Sequence, residues 1–415
     1  MKKKKVLIFQ FPNLNNYGTG MMGLVAIQEI SNRLSSKNVE FYVDFDEYAD
    51  LNEIRKELNG QHTINSYVPK SVQNISKTKN SFLRKIKYLK NFIYGEDIKG
   101  FDLIIVLGGD GFSEEYGATA YIEFIKLWLY SFNTKVIMLG QTMGPFNNWK
   151  NRFSIKYLLA KIDIYTRDSW CYNYLKNEFS LNKKLNLSAD LAFTNLPLED
   201  NLQIKKDILQ KYNLNTSEYI TFVISGIQGK GYYCDSREEY VSNWKSIIET
   251  VARIDGLKTK NIVLLAHTFK PYGEEDIFVE NMVNELALEI RDRTIVIADR
   301  ILQTRARQIL GNGLFTITGR MHAAISSYKM GVPAIPLAYS PKYDGVIGAG
   351  LKRKDLIVYA NDSQLWKTGD IVKKVSEKVN YLLSNYNQIK LEIEPEVEIQ
   401  NKLVKNTLDT ICQNL

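Results

Sequence analysis

The chain has 415 residues, 45% hydrophobic and 24% charged, with nine prolines; that excludes bulk disorder and predicts two domains. A net charge of +8 suits anionic partners, but the dense basic run is confined to Lys2 to Lys5 and no nucleic-acid-binding motif accompanies it, so nucleic acid is not an expected partner. Three scattered cysteines and three histidines argue against a disulfide framework and a metal centre, and no apolar run suits a membrane span or a signal-peptide core, so the expected setting is the cytoplasm.

In chain order, short apolar runs alternate with helical spacings. KVLIFQF (5–11) reads as a strand, PNLNNYGTG (12–20) as a loop, and Met21 to Leu34 as a helix. VEFYVDF (39–45) is a strand, and the Lys- and Asn-rich residues 50–100 are an excursion of helices and loop. FDLIIVLGG (101–109) and KVIMLGQT (135–142) are strands apolar enough to be covered on both faces. Helices are expected at Tyr121 to Phe132 and Arg152 to Ile162. DIYTR (163–167) is a strand, and Asp168 caps the helix after it. Near Asp190 to Lys211 the pattern breaks, then restarts with strands YITFVISG, KNIVLLAH, TIVIAD, LFTITG, VPAIPLAYS and DLIVYA. Helices from Asp276 to Ile290, Gln303 to Leu310 and Arg320 to Lys329 lie among them, and a helix near Ile371 to Leu383 follows.

Strands alternating with helices predict an α/β protein with two doubly wound, Rossmann-like domains. The expected bounds are 1–197, with the variable excursion at 50–100, and 198–385, with a helical tail over 386–415. Two such domains facing a cleft resemble the GT-B architecture. Ligands of open α/β sheets bind beyond the carboxyl ends of the strands, so the residues directly after strands are the candidates.

Those residues are rich in Gly and polar groups. After Thr318 and Gly319 a helix begins at once, and its N-terminus beside Arg320 is suited to a carboxylate or phosphate. His322, two residues on, is an acid/base candidate or a histidine packed between helix and sheet. His267 follows an apolar strand and is a second candidate, or is hydrogen-bonded within its own turn. Lys342 follows a further strand. In the first half, Arg167 either points toward a ligand or pairs with an aspartate to lock its turn. Gly108, Gly109 and Gly111 let the backbone approach a ligand, and Asp110 is a base or a turn former. Asn16, Gly18 and Thr19 form a polar loop where phosphate often sits, without the GxGxxG or Walker spacing of a nucleotide site. GxSxG and HExxH are absent too.

Taken in order, these segments resemble the polysaccharide pyruvyl transferase family over roughly residues 6–350. The segments are Asn16 to Gly18, Gly108 to Gly111, Gln141 to Phe146, Arg167 to Asp168, His267, Gly319 to Ala324, Gly331 to Pro333 and Tyr339 to Lys342. The Gly-Arg-x-His-Ala-Ala segment at 319–324 is the most specific, with Met321 where the family more often has Leu. The resemblance implies transfer of pyruvate from phosphoenolpyruvate to two hydroxyls of a glycan sugar as a ketal, with release of phosphate and no cofactor. It implies Arg320 and Arg167 as clamps for the donor and His322, supported by His267, for proton transfer. Asn16, Gly18, Thr19, Gly109, Asp110, Gln141 and Lys342 become substrate-binding candidates. The first domain is then the acceptor side and the second the donor side. A sugar or lipid-linked oligosaccharide would be the acceptor, with peripheral membrane contact suited to the positive charge. A nucleotide-sugar glycosyltransferase and a non-catalytic glycan- or phosphate-binding protein are the rival readings.

Overall fold

The computed structural model describes residues 3–34, 38–44, 46–68, 98–114, 120–226 and 233–415. They fall into two compact units: Met1–Leu14, Met22–Leu191 and Lys402–Leu415 form the first, and Asn15–Met21 and Ala192–Asn401 the second.

Among the described residues, seven strands build the sheet of the first unit. They are β1 (Lys4–Phe9), β2 (Val39–Asp44), β3 (Ile64–Tyr67), β4 (Leu103–Gly109), β5 (Lys135–Gln141), β6 (Asp163–Thr166) and β7 (Leu185–Leu187). Their order is β3-β2-β1-β4-β5-β6-β7, parallel throughout. Strands β4 and β5 are buried at almost every position, as strands covered by helices on both faces must be. The second unit has β8 (Tyr219–Val223), β9 (Asn261–Leu265), β10 (Thr294–Ile297), β11 (Thr316–Thr318), β12 (Ala334–Ala338) and β13 (Val358–Tyr359). Here the order is β10-β9-β8-β11-β12-β13, again parallel. Both units are therefore doubly wound α/β domains. The winding reverses between β1 and β4 in one sheet and between β8 and β11 in the other, and ligands of such sheets bind at the carboxyl ends at that reversal.

Several elements differ from the sequence reading. Residues 50–100 hold more than helices and loop, because Ile64–Tyr67 is the edge strand β3. Its sequence, INSY, buries only its outer two positions and has no apolar run to announce it. Residues 69–97 lie outside the described residues. The first helix spans Tyr17–Leu34, starting four residues before the expected Met21. Asn16 Oδ1 accepts from the N–H groups of Gly18 at 3.1 Å and Thr19 at 3.4 Å, which makes Asn16 an N-cap. The stretch expected as a loop is thus a helix start. The helix expected from Asp276 to Ile290 is two pieces, Glu275–Glu285 and Leu288–Arg291. The compact units divide after Leu191 rather than near 197. Arg307, fully buried in the second unit, donates to the carbonyls of Ala192 at 2.8 Å and Thr194 at 3.1 Å and draws that segment into its own unit. The final helix, Tyr386–Gln413, gives its residues up to Asn401 to the second unit and the rest to the first. No helix among the described residues is long and apolar enough to cross a membrane.

Candidate active site

The reversal point of the second sheet places Gly319 and Arg320 directly beyond β11. Thr318 fixes the turn: its hydroxyl accepts from the Arg320 N–H at 2.8 Å and donates to the Arg320 carbonyl at 3.0 Å. Arg320 is left extended (φ −110°, ψ 118°) as the N-cap of the helix Met321–Lys329, and its own side chain makes no capping hydrogen bond to that helix. The Gly319 N–H donates to Val223 of β8 at 2.9 Å. Its carbonyl accepts from the hydroxyls of Tyr233 at 2.8 Å and Tyr343 at 2.9 Å. A Cβ at Gly319 would lie 2.9 Å from Ser225 Cβ and 3.0 Å from Tyr233 Oη, so the close approach of β8 and β11 requires glycine there.

Glu275, a residue that sequence reasoning missed, ties three strand ends together. It is fully buried. Its Oε1 accepts from Arg320 Nε at 2.6 Å and from the Gly226 N–H, beyond β8, at 2.9 Å. Its Oε2 accepts from the His267 N–H, beyond β9, at 3.1 Å. Burial opposes the charge of Arg320, but the adjacent Glu275 carboxylate outweighs it and raises the guanidinium pKa further. Arg320 Nη2 comes within 2.5 Å of the same Oε1 without the alignment of a hydrogen bond, and its side chain keeps 13% exposure. The result is a positive group held on one side by a carboxylate, with bonding capacity left for an anion. In the sequence, Glu275 is one of two adjacent glutamates opening a helix, where acids serve the helix dipole anyway; nothing local marks it as a partner of Arg320.

The two histidines differ. His267 is 1% exposed and meets the Tyr17 ring edge-on at 5.2 Å. Burial, then the charges of Arg320, His322 and Arg307, hold its pKa well below the ordinary imidazole value, so it is neutral at neutral pH and a weak proton donor. His322 is the second residue of the Met321–Lys329 helix and is only half-buried. Its ring packs over Gly18, where any Cβ would collide with it. Gly18 is glycine to admit an imidazole, and the Asn16-capped helix start comes with it: Asn16 bridges Thr268, and the Tyr17 N–H donates to the His267 carbonyl at 3.2 Å. Asn16, Gly18 and Thr19, early in the chain, therefore pack with the second unit. Lys342, 7% exposed, donates to the Tyr339 hydroxyl at 2.6 Å and lies 4.4 Å from that ring centre. The Tyr339 ring is 5.3 Å from Tyr233, which links Lys342 to the Gly319 turn.

The remaining candidates form a cluster of their own in the first unit. Arg167 follows β6 and is 2% exposed. Its Nε donates to the Thr142 hydroxyl at 2.8 Å and its Nη1 to Asp190 at 2.8 Å. Asp168 accepts from the Cys171 N–H at 2.7 Å, capping the next helix, and from the Thr142 hydroxyl at 2.7 Å. The partner in Arg167's ion pair is thus Asp190, with Asp110 and Asp168 adding to the field around it. Gln141 is buried, and its amide donates to the β4 carbonyls of Val106 and Leu107 at 3.1 and 3.0 Å. Gly109 has φ 155° and its carbonyl accepts from the Thr142 N–H at 2.8 Å. No group of three or more His, Cys, Asp or Glu among the described residues could hold a metal ion.

The chain is 23% identical over 335 residues to the amylovoran biosynthesis protein AmsJ of Erwinia amylovora, covering 78% of this chain and 76% of the relative. Among solved structures, the UDP-GlcNAc 2-epimerase of Neisseria meningitidis bound to UDP-GlcNAc has a TM-score of 0.56 at 14% identity, covering 99% of this chain and 100% of that one. Anabaena Alr3699/HepE, in complex with UDP and glucose, also has a TM-score of 0.56, at 10% identity, with coverage of 99% and 98%. Likeness at that identity carries the fold alone, a GT-B-like pair of Rossmann-like domains. A sequence model of the polysaccharide pyruvyl transferase family matches residues 51–341, a span holding Glu275, Arg320, His322 and the Arg167 cluster, and the chain is a transferase that belongs to that family.

Proposed function

We propose that the chain transfers pyruvate from phosphoenolpyruvate to two hydroxyls of one glycan sugar, forming a cyclic ketal and releasing phosphate, in the synthesis of a surface polysaccharide. Family membership supports the reaction class, and the likeness to a protein named for amylovoran biosynthesis supports the setting. The observation that carries the donor assignment is Arg320, anchored on buried Glu275 at a helix start that its own side chain does not cap. Phosphoenolpyruvate brings a carboxylate and a phosphate, and a guanidinium at the positive end of a helix suits either.

The balance of the reaction sets the other roles. The CH2 carbon of the donor gains one proton and becomes a methyl group. Each sugar hydroxyl forms one bond to the central carbon and loses one proton, and the C–O bond to phosphate breaks. One hydroxyl proton balances the methyl and the other leaves with phosphate. His322, half-buried beside Arg320, is the group we assign to proton transfer. His267, held neutral, supports it by position. The acceptor class is a sugar or lipid-linked oligosaccharide handled at a membrane face.

Phosphate release from phosphoenolpyruvate, measured with a panel of lipid-linked and nitrophenyl sugars, tests this. Acceptor-dependent release by wild type that is lost in Arg320→Ala and His322→Ala is the expected result. Release that survives in both variants would remove the site from the reaction.

A further inference from the structure

The first unit carries a surface that the transfer chemistry does not use. The helix Trp149–Tyr157 turns Asn151, Ser154 and Ile155 inward. It leaves Trp149, Phe153 and Tyr157 outside, at 71%, 54% and 54% exposure. A spacing of four puts the three on one side of the helix along about 12 Å of its axis. The Phe153 and Tyr157 rings touch, with centres 4.9 Å apart. The neighbouring helix Ala120–Tyr130 adds Ile122 at 47% exposure, and just past its end Phe132 adds another ring at 59%. Large apolar side chains gathered this way on a protein surface mark an interaction site.

Lysines border three of its four rings. Lys150 lies 5.2 Å from the Tyr121 ring centre and 5.9 Å from that of Trp149. Lys156 lies 5.4 Å from Tyr157, and Lys161 lies 5.1 Å from Phe132 and 5.8 Å from Trp128. Among the described residues no carboxylate pairs with these three lysines, whereas Arg152 nearby is tied to Glu178 at 3.3 Å. Interleaved aromatics and lysines suit a bilayer interface: the rings settle at headgroup depth while the ammonium groups meet anionic headgroups. They suit a second copy of the chain poorly, because a two-fold contact through this patch would set lysine against lysine.

We propose that the face formed by Trp149, Phe153 and Tyr157 with Lys150, Lys156 and Lys161 docks on an anionic lipid bilayer as a peripheral membrane surface. The inference stands on this surface and not on the transfer reaction, so each can fail without the other.

Vesicle flotation tests it with the full-length protein, using phosphatidylcholine alone and phosphatidylcholine mixed with phosphatidylglycerol. Wild type is expected to float with the mixed vesicles and not the neutral ones, and to be released by salt. The triple variant Trp149→Ser, Phe153→Ser, Tyr157→Ser and the triple variant Lys150→Glu, Lys156→Glu, Lys161→Glu should each bind more than about tenfold less. All six positions lie at the surface, so both variants should keep the wild-type circular dichroism spectrum. Failure of wild type to float with either vesicle, or flotation of the variants equal to wild type, overturns the proposal. A concentration-dependent dimer in sedimentation that the aromatic variant abolishes, with no vesicle binding, overturns it in favour of a contact between copies.

Discussion

Arg167 and Arg320 share a local placement though not a sheet position: each follows a strand, β6 or β11, and sits at the start of a helix with a carboxylate close by. Their surroundings part them. Arg167 is 1% exposed in its side chain against a fully buried Asp190, with Thr142 on its Nε and Asp110 and Asp168 adding negative field. Arg320 has one carboxylate, an Nη2 out of hydrogen-bond alignment and 13% exposure. The lesson is that strand–Arg–helix is a placement, not a role. How many acceptors close around the guanidinium decides whether it locks the fold or is left to meet an anion.

The two arginines should differ most on truncation. Arg320→Ala should lower kcat/KM by about a thousandfold, the scale of losing a charged group that stabilises a transition state. Its denaturation midpoint should change less than that of Arg167→Ala, because solvent reaches the vacated place. Arg167→Ala leaves Asp190 charged and sealed, and breaking such a pair costs about 3–5 kcal/mol. It should show first as a lower urea midpoint. If the two variants exchange these outcomes, the roles assigned to the two arginines are reversed.

Glu275→Gln sharpens the contrast, since it keeps the shape and removes the charge that orients Arg320. Steady-state kinetics should show the donor KM raised about tenfold with a smaller change in kcat, on the scale of one charged hydrogen bond. A fall confined to kcat would mean that Glu275 acts on chemistry rather than on donor binding.

The smallest effects are slopes with pH, and they carry opposite signs in the two units. His267 is held neutral by burial and by nearby cations, so the unfolded chain binds a proton near pH 6.5 that the folded chain refuses. Stability contributed by that site is complete above about pH 6.5 and falls as pH drops below it. Asp44, whose Oδ2 accepts from the Gln10 N–H at 2.6 Å, has its carboxyl pushed up to about 7, chiefly by burial. The folded chain keeps that proton where the unfolded chain has lost it, so stability from this site falls as pH rises from about 4 toward 7. Urea midpoints from about pH 4 to about pH 8 should lose the first slope in His267→Gln and the second in Asp44→Asn. Unchanged slopes in the variants would place the titrating groups elsewhere.

The two units also differ in how much of them the sequence discloses. β4 and β5 are legible because burial on both faces demands unbroken apolar runs. β3 is hidden because a polar edge strand needs none. The start of the first helix reads as a loop because Gly18 and Gly20 look like turn residues. Both are small for packing reasons, since a Cβ would strike His322 at one and Gln303 at the other. Arg320 and His322 are legible because a strand end running straight into a helix is itself a chemical address. Glu275 is not, because its partners Gly226, His267 and Arg320 come from three strand ends that only the folded sheet brings together.

Titration calorimetry of phosphoenolpyruvate into wild type and Arg320→Ala asks whether Arg320 receives the donor anion. Wild type should bind phosphoenolpyruvate, the variant should not, and UDP-GlcNAc should not displace it. Binding of UDP-GlcNAc with no heat from phosphoenolpyruvate would assign the site to a nucleotide sugar instead.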